Sequence, residues 1–277
     1  NEKPNKDSLM AFGRRLIIAV VIFLIAALVA GFYELVIDKD IEENIDKKTT
    51  SIKETKNTEE KQDKKDDEMM DGVTLNYQSS IRIEKNNEII YFDPYKITDS
   101  KNDANYIFIT HSHYDHFSKE DIKKVMNDNT KFVVTSDIES DIKALGVSDS
   151  NILVTYPNET HEIGDLTFDA IPSYNISKSY HKKSYNWVGY NVVIDGTSYF
   201  TVGDSDVTDE LKKVKCDVIF VPVGGTYTMT DSEASKLVNE IKPKYAVPVH
   251  YGEVGSDKNA SNFVSQLDSD IKGIILK

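Results

Sequence analysis

From residue 72 onward, apolar residues come in short runs of roughly four to eight, several of them closed by Gly, Asn-Asn, Asp-Pro or Asp-Gly, which predicts strands. The runs fall at 73–77, 81–84, 88–92, 106–110, 131–135, 152–155, 166–171, 187–194, 198–202, 217–221, 245–249 and 273–276. Asn86-Asn87 and Asp195-Gly196 sit where two runs are separated by only three residues, so both are expected to be hairpin turns. Between the later runs the apolar spacing changes to that of helices, over 138–145, 206–213, 230–241 and 258–267. Ser118 followed by Glu120 and Asp121 opens another helix, and Thr230-Asp231-Ser232-Glu233 is a capping box. Strand-rich halves that each carry helices predict an α/β sandwich, two sheets covered by helices.

The first 71 residues follow a different pattern. Leu16 to Tyr33 is a run of 18 residues without a charge, apolar on every helical face. Arg14 and Arg15 precede it, and Glu34, Asp38, Asp40, Glu42 and Glu43 follow. The expected organisation is a cytoplasmic N-terminus (1–15), a transmembrane helix (16–37), a charged flexible linker (38–71) and a folded domain (72–277) outside the cytoplasm. A cleaved signal peptide is the competing reading, although Leu28-Val29-Ala30 is a poor cleavage site. Residues 38–71 are mostly Asp, Glu and Lys, too polar to offset the entropy of ordering.

A net charge of −13 with no basic stripe argues against nucleic acid as a partner. A single cysteine, Cys216, excludes a disulfide framework and any cysteine-based zinc cluster; next to an apolar run it reads as a small buried filler.

The candidate chemistry is concentrated at run ends. Residues 111–116 read His-Ser-His-Tyr-Asp-His directly after the run 106–110, and three of the chain's six histidines lie in this turn. Imidazole and carboxylate are the ligands of zinc and similar ions. Asp204 follows Gly203 at the end of one run, and His250 ends another. In α/β sheets ligands gather at the carboxyl ends of strands, so His111, His113, Asp115, His116, Asp204 and His250 are expected at one edge.

This set resembles the metallo-β-lactamase superfamily over residues 72–277. The stretches 222–229 and 248–252 look most like the L-ascorbate-6-phosphate lactonase-like hydrolases of that superfamily. The resemblance implies an αββα fold and two divalent ions, zinc first, with manganese or iron as alternatives. His111 and His113 would bind the first ion, Asp115, His116 and His250 the second, and Asp204 would bridge them. A water shared by the ions would attack an ester, lactone, amide or phosphodiester as hydroxide, with Asp115 orienting it. The superfamily usually supplies a third histidine to the first site, and Asn175 stands where it is expected. His181, six residues later, is either the missing ligand, a catalytic group acting on substrate, or an exposed loop residue. Tyr227 and the amides of Gly224 and Gly225 either line the pocket as catalytic groups that stabilise developing negative charge, or form a tight turn with a packed tyrosine. Asp93 is either a partner of a ligand histidine or a turn residue, and His161 reads as surface.

The function expected is therefore a membrane-anchored, metal-dependent hydrolase acting on a small-molecule or lipid substrate. The rival is a non-catalytic extracytoplasmic metal- or ligand-binding module.

Overall fold

The computed structural model describes residues 20, 21, 23–29, 31, 32 and 68–276. The chain divides into two units, Asn1–Lys65 and Asp66–Lys277. In the first, the described residues between 20 and 32 are helical, with Phe23, Leu24, Leu28 and Phe32 exposed. Among the described residues no helix is long and apolar enough to cross a membrane. The ends of the expected transmembrane helix, and the linker as far as residue 67, lie outside the described residues.

The second unit is a two-sheet sandwich. One sheet has six strands in order: β1 (Val73–Tyr77), β2 (Ser80–Lys85), β3 (Glu88–Phe92), β4 (Tyr106–Phe108), β5 (Lys131–Val134) and β6 (Ile152–Val154). The other runs β13 (Lys272–Gly273), β12 (Tyr245–Val249), β11 (Val218–Pro222), β10 (Thr197–Thr201), β9 (Val188–Ile194), β8 (Leu166–Pro172) and β7 (Thr160–Ile163). Strands β3 to β6 pair in parallel, as do β10 to β13, and antiparallel meanders complete both sheets. Helices α1 (Lys119–Val125) and α2 (Glu139–Ala144) belong to the first half; α3 (Asp231–Ile241) and α4 (Asp257–Ser265) belong to the second.

Side-chain alternation along the strands creates three apolar layers. On β11, Val218 and Phe220 join the central cluster while Ile219 and Val221 join the one containing α3 residues Leu237 and Val238. On β3, Ile90 and Phe92 are central, whereas Tyr91 packs with Ile122 and Val125 of α1. The central layer is aromatic: Phe108 lies 5.2 Å from Phe92, 5.3 Å from Phe168 and 5.2 Å from Tyr190, ring centre to ring centre. Buried phenols find acceptors, Tyr190 donating to the Ile109 carbonyl and Tyr199 to that of Met69.

The predicted αββα arrangement is present, and both hairpin turns have positive φ at their two central residues. Ser118 caps α1 through the Asp121 amide, and Thr230 and Glu233 form the capping box of α3. Four expectations differ. The helix expected at 206–213 is only a single 3-10 turn, Leu211–Lys213, with Thr208 Oγ1 accepting the Leu211 amide ahead of it. The closing strand shortens to β13, because only Lys272 and Gly273 pair with β12. Strand β7 was not expected: its exposed-intermediate alternation, Thr-His-Glu-Ile, carries too few apolar residues to signal a strand. Met69, placed in the linker by composition, is 3 % exposed and belongs to the central cluster.

Candidate metal centre

Strands β4, β10 and β12 all run toward one edge of the sandwich, and β8 shares their direction through two antiparallel pairings. Each hands over a polar residue as it ends. After β4 the chain turns sharply, with the amides of His116 and Phe117 both donating to the His113 carbonyl. This places four donor side chains, His111, His113, Asp115 and His116, in one turn before Ser118 starts α1. Asp204 follows Gly203, whose φ of +70° suits glycine; a Cβ there would lie 3.0 Å from Ser173 Oγ. His250 follows β12 in a left-handed conformation (φ +57°) that aims its ring back over the edge. Asp93 and His181 are also left-handed, at +46° and +53°. Such strained backbone clusters at functional sites.

Two groups of donors result: His111, His113, His181 and Asp204 in one, Asp115, His116 and His250 in the other, each group's donor atoms lying within 4.8 Å of one another. In the first, His113 Nδ1 lies 3.1 Å from His111 Nε2 and 3.1 Å from His181 Nε2. Asp204 Oδ2 is 3.2 Å from His181 Nε2 and 3.9 Å from His111 Nε2. Four ligands held tetrahedrally at zinc distances would be about 3.4 Å apart. In the second, Asp115 Oδ2 is 3.1 Å from His250 Nε2 and 3.6 Å from His116 Nε2. Asp204 reaches this group too, with Oδ1 3.3 Å from His116 Nε2 and Oδ2 3.1 Å from His250 Nε2.

The donor set fits divalent metal. His116 Nε2 and Asp204 Oδ1 are buried and have no hydrogen-bond partner although they face each other. Buried polar atoms are ordinarily paired, and a cation between them satisfies both. Imidazole with carboxylate suits zinc, manganese and iron.

His181, one of three readings in the sequence, belongs to the first group and is 2 % exposed, which removes the surface-loop reading. Asn175 stands behind it: its amide nitrogen donates to the Tyr227 carbonyl at 2.7 Å and lies 3.2 Å from His181 Nδ1. The loop 173–187 therefore delivers a histidine six positions later than the superfamily pattern suggested.

The imidazoles are oriented from outside. Asp93 is fully buried and accepts from the Thr110 amide at 2.8 Å, the Thr110 hydroxyl at 2.7 Å and His116 Nδ1 at 2.7 Å. Thr110 Oγ1 lies 2.9 Å from His111 Nδ1. The Nδ1 atoms of both histidines are thus engaged, and their Nε2 atoms are left for the centre. Asp93 is a partner of a ligand histidine rather than a turn residue alone. Trp187, which sequence reading did not single out, walls the first group with its ring 4.8 Å from both His111 and His113 and its indole nitrogen bonded to Asp137.

Of the expected pocket groups, Tyr227 does line the cavity, edge-on to Tyr180 at 4.8 Å. The Gly225 amide does not face it, because it donates to the Met229 carbonyl. Gly224 pairs with Thr230 in an isolated β-bridge, where a Cβ would come within 2.4 Å of the His250 carbonyl. His161 lies away from the centre on β7, paired with Glu159.

Charges in the metal-free centre are shared among these groups. Burial disfavours a charge on His250, but Asp204 and Asp115 overcome it and raise its pKa to about 9. His116 likewise rises well above the usual imidazole value despite burial, held by Asp204 and Asp93. Burial and the neighbouring His116 charge push His111 well below that value. Burial opposes ionisation of Asp204 as well, yet His250 and His116 hold it well below the carboxylate range. At pH 7 the second group therefore carries protons that a metal must displace. Apparent metal affinity is expected to rise with pH up to about 9, with proton release on binding, read by calorimetry in buffers of different ionisation enthalpy. The metal-free protein should show the opposite trend. The raised His250 pKa contributes stability that is complete below 6.5 and lost as pH rises through about 9. An apparent affinity independent of pH across this window would contradict the assignment.

Known proteins are similar to this chain in sequence and fold. The family described as "Beta-lactamase superfamily domain" matches residues 73–250. A UPF0173 metal-dependent hydrolase of Staphylococcus aureus strain MRSA252 is 30 % identical over 193 residues, 63 % of this chain and 82 % of that protein. The crystal structure of a protein named as a metal-dependent hydrolase from Parabacteroides distasonis is 28 % identical, with a TM-score of 0.61 over 74 % of this chain and 93 % of that one. A metallo hydrolase from the archaeon Ignicoccus hospitalis, at 20 % identity and a TM-score of 0.61, covers 74 % of this chain and 94 % of its own and shares the fold. Similarity of this extent, over the strands that carry the donors, makes the chain a member of the β-lactamase superfamily and a metal-dependent hydrolase.

Proposed function

We propose that the protein is a membrane-anchored hydrolase whose domain works outside the cytoplasm on a small ester, lactone, amide or phosphodiester, with one divalent ion at each donor group and zinc as the natural occupant. The observation that carries this reading is the position of Asp204, whose two oxygens approach donors of both groups. Such ions supply Lewis-acid polarisation of the substrate oxygen and acidify water. Asp115 lines the cavity; burial disfavours its charge, but the His250 hydrogen bond and the nearby His116 keep its pKa lowered. It is thus an ionised acceptor placed to orient water and take its proton. Asp93 and Thr110 hold the His116 and His111 rings in place. Trp187 shields the first group from solvent on one side, and Tyr227 with Tyr180 forms an aromatic wall for the substrate.

The cavity is about 220 Å³, which favours a small molecule or a headgroup over a polymer. The net charge of −13 agrees with a substrate other than nucleic acid. Lactone cleavage has the support of the sequence at 222–229 and 248–252. The uncharged run 16–33, basic before and acidic after, supports the anchor and its orientation.

Two experiments test this reading. Protease added to intact cells is expected to release the domain by cutting between residues 38 and 65, and full protection would refute the topology. The detergent-purified full chain, loaded with zinc, is to be assayed on lactone, phosphodiester and amide panels. Turnover abolished by chelation and restored by metal is the expected result.

A further inference from the structure

The turn between β1 and β2 enters the cavity beside His250. Gln78 occupies it with φ +51°, and its carbonyl accepts the His250 amide at 3.1 Å. Its side-chain Oε1 accepts two more amides from the loop after β12, Gly252 at 2.8 Å and Glu253 at 3.1 Å. Both partners are N–H donors, so the oxygen must face them, and this decides which end of the amide is which. The Nε2 end is left over. It has no hydrogen-bond partner among the described residues, although Gln78 is only 4 % exposed and lines the cavity with Asp115, Asp204 and His250.

The amide is also held rigidly. Glu253, whose own backbone anchors Gln78, is gripped by Lys96 at 2.7 Å and by the hydroxyls of Tyr95 and Tyr114, each at 2.9 Å. These three contacts engage both carboxylate oxygens and fix it as a strut of the rim. A donor fixed in direction, on a side chain that is largely buried and lines the cavity, is a group prepared for an acceptor that arrives there.

We propose that Gln78 is a substrate-binding residue, whose Nε2 donates a hydrogen bond to a carbonyl or phosphoryl oxygen held on the Asp115–His250 side of the centre. This rests on the hydrolase reading of the same cavity. Because the amide cannot turn over without breaking two hydrogen bonds, the position selects acceptors and rejects donors.

The test uses the zinc-loaded full chain and acetohydroxamic acid, a small neutral chelating probe rich in acceptor oxygen, titrated calorimetrically. Gln78→Glu keeps an oxygen for the Gly252 and Glu253 amides and replaces the donor by an acceptor. Gln78→Met keeps the length and removes both functions. The expected result for Gln78→Glu is probe binding weaker by about 10-fold or more at unchanged zinc content, the size of effect seen when a buried acceptor loses its partner. Gln78→Met is expected to weaken binding and also to lower the melting temperature, because the loop loses its anchor. Parent-like binding by Gln78→Glu overturns the proposal and reduces Gln78 to that anchor. Should Gln78→Glu change the zinc content, Gln78→Met decides, and parent-like binding by it overturns the proposal equally. Failure of the zinc-loaded parent to bind the probe would overturn the hydrolase reading of the cavity, and the role of Gln78 with it.

Discussion

Asp204→Asn is expected to abolish hydrolysis, with a loss on the order of 10³-fold or more in kcat, beyond the roughly 10–100-fold typical of residues that only orient ligands. The substitution is nearly isosteric, so the fold should survive. Asp204 is 3 % exposed, and its two oxygens lie within 3.3 Å of His116, His181 and His250. An amide leaves one oxygen and turns a donor toward one of the groups, so that group loses its anionic member. Metal analysis should show at least one ion fewer per chain than the parent. His116→Ala should act similarly, since it leaves the fully buried Asp93 without its histidine. Parent-like metal content together with parent-like turnover in Asp204→Asn would remove the two-group assignment.

His181→Ala should produce the second large effect. His181 Nε2 is 3.1 Å from His113 and 3.2 Å from Asp204, so its loss reduces the first group to His111, His113 and Asp204. Partial metal loss confined to one site is expected, with kcat lower by about 10²-fold and recovered in part at high metal concentration. If His181 instead acts on substrate, activity falls with metal content unchanged, and added metal rescues nothing. Parent-like values of both would return His181 to a purely structural role. Asn175→Ala makes a useful companion. Asn175 lies on the far side of His181, so a smaller loss in the same direction is expected.

Much of this protein was legible before its structure. Short apolar runs marked every described strand except β7, the closing one only in part, because burial between the sheets and helices demands them, and Asn86-Asn87 and Asp195-Gly196 marked two of the places where the chain reverses. His111, His113, Asp115 and His116 were legible because they occupy a single turn, where sequence spacing and spatial spacing coincide. Asp204 and His250 were legible because parallel strands deliver their successors to a common edge. Strand β7 was not, since Thr-His-Glu-Ile carries no apolar rhythm, and the spacing over 206–213 suggested a helix where only the 3-10 turn Leu211–Lys213 forms.

Only the tertiary structure decided which residue of the loop 173–187 enters the centre. The loop has no periodicity, so nothing local distinguishes Asn175 from His181; Asn175 is held instead by the Tyr227 carbonyl, 52 positions away. Asp93, Trp187 and Gln78 were undecided or unseen for the same reason. Their roles consist of contacts to His116, His113 and Gly252, separated from them by 23, 74 and 174 positions. Strand patterns and turn chemistry are imposed by neighbours in sequence. The surroundings of a metal centre are imposed by neighbours in space, and these exist only after the two sheets have packed.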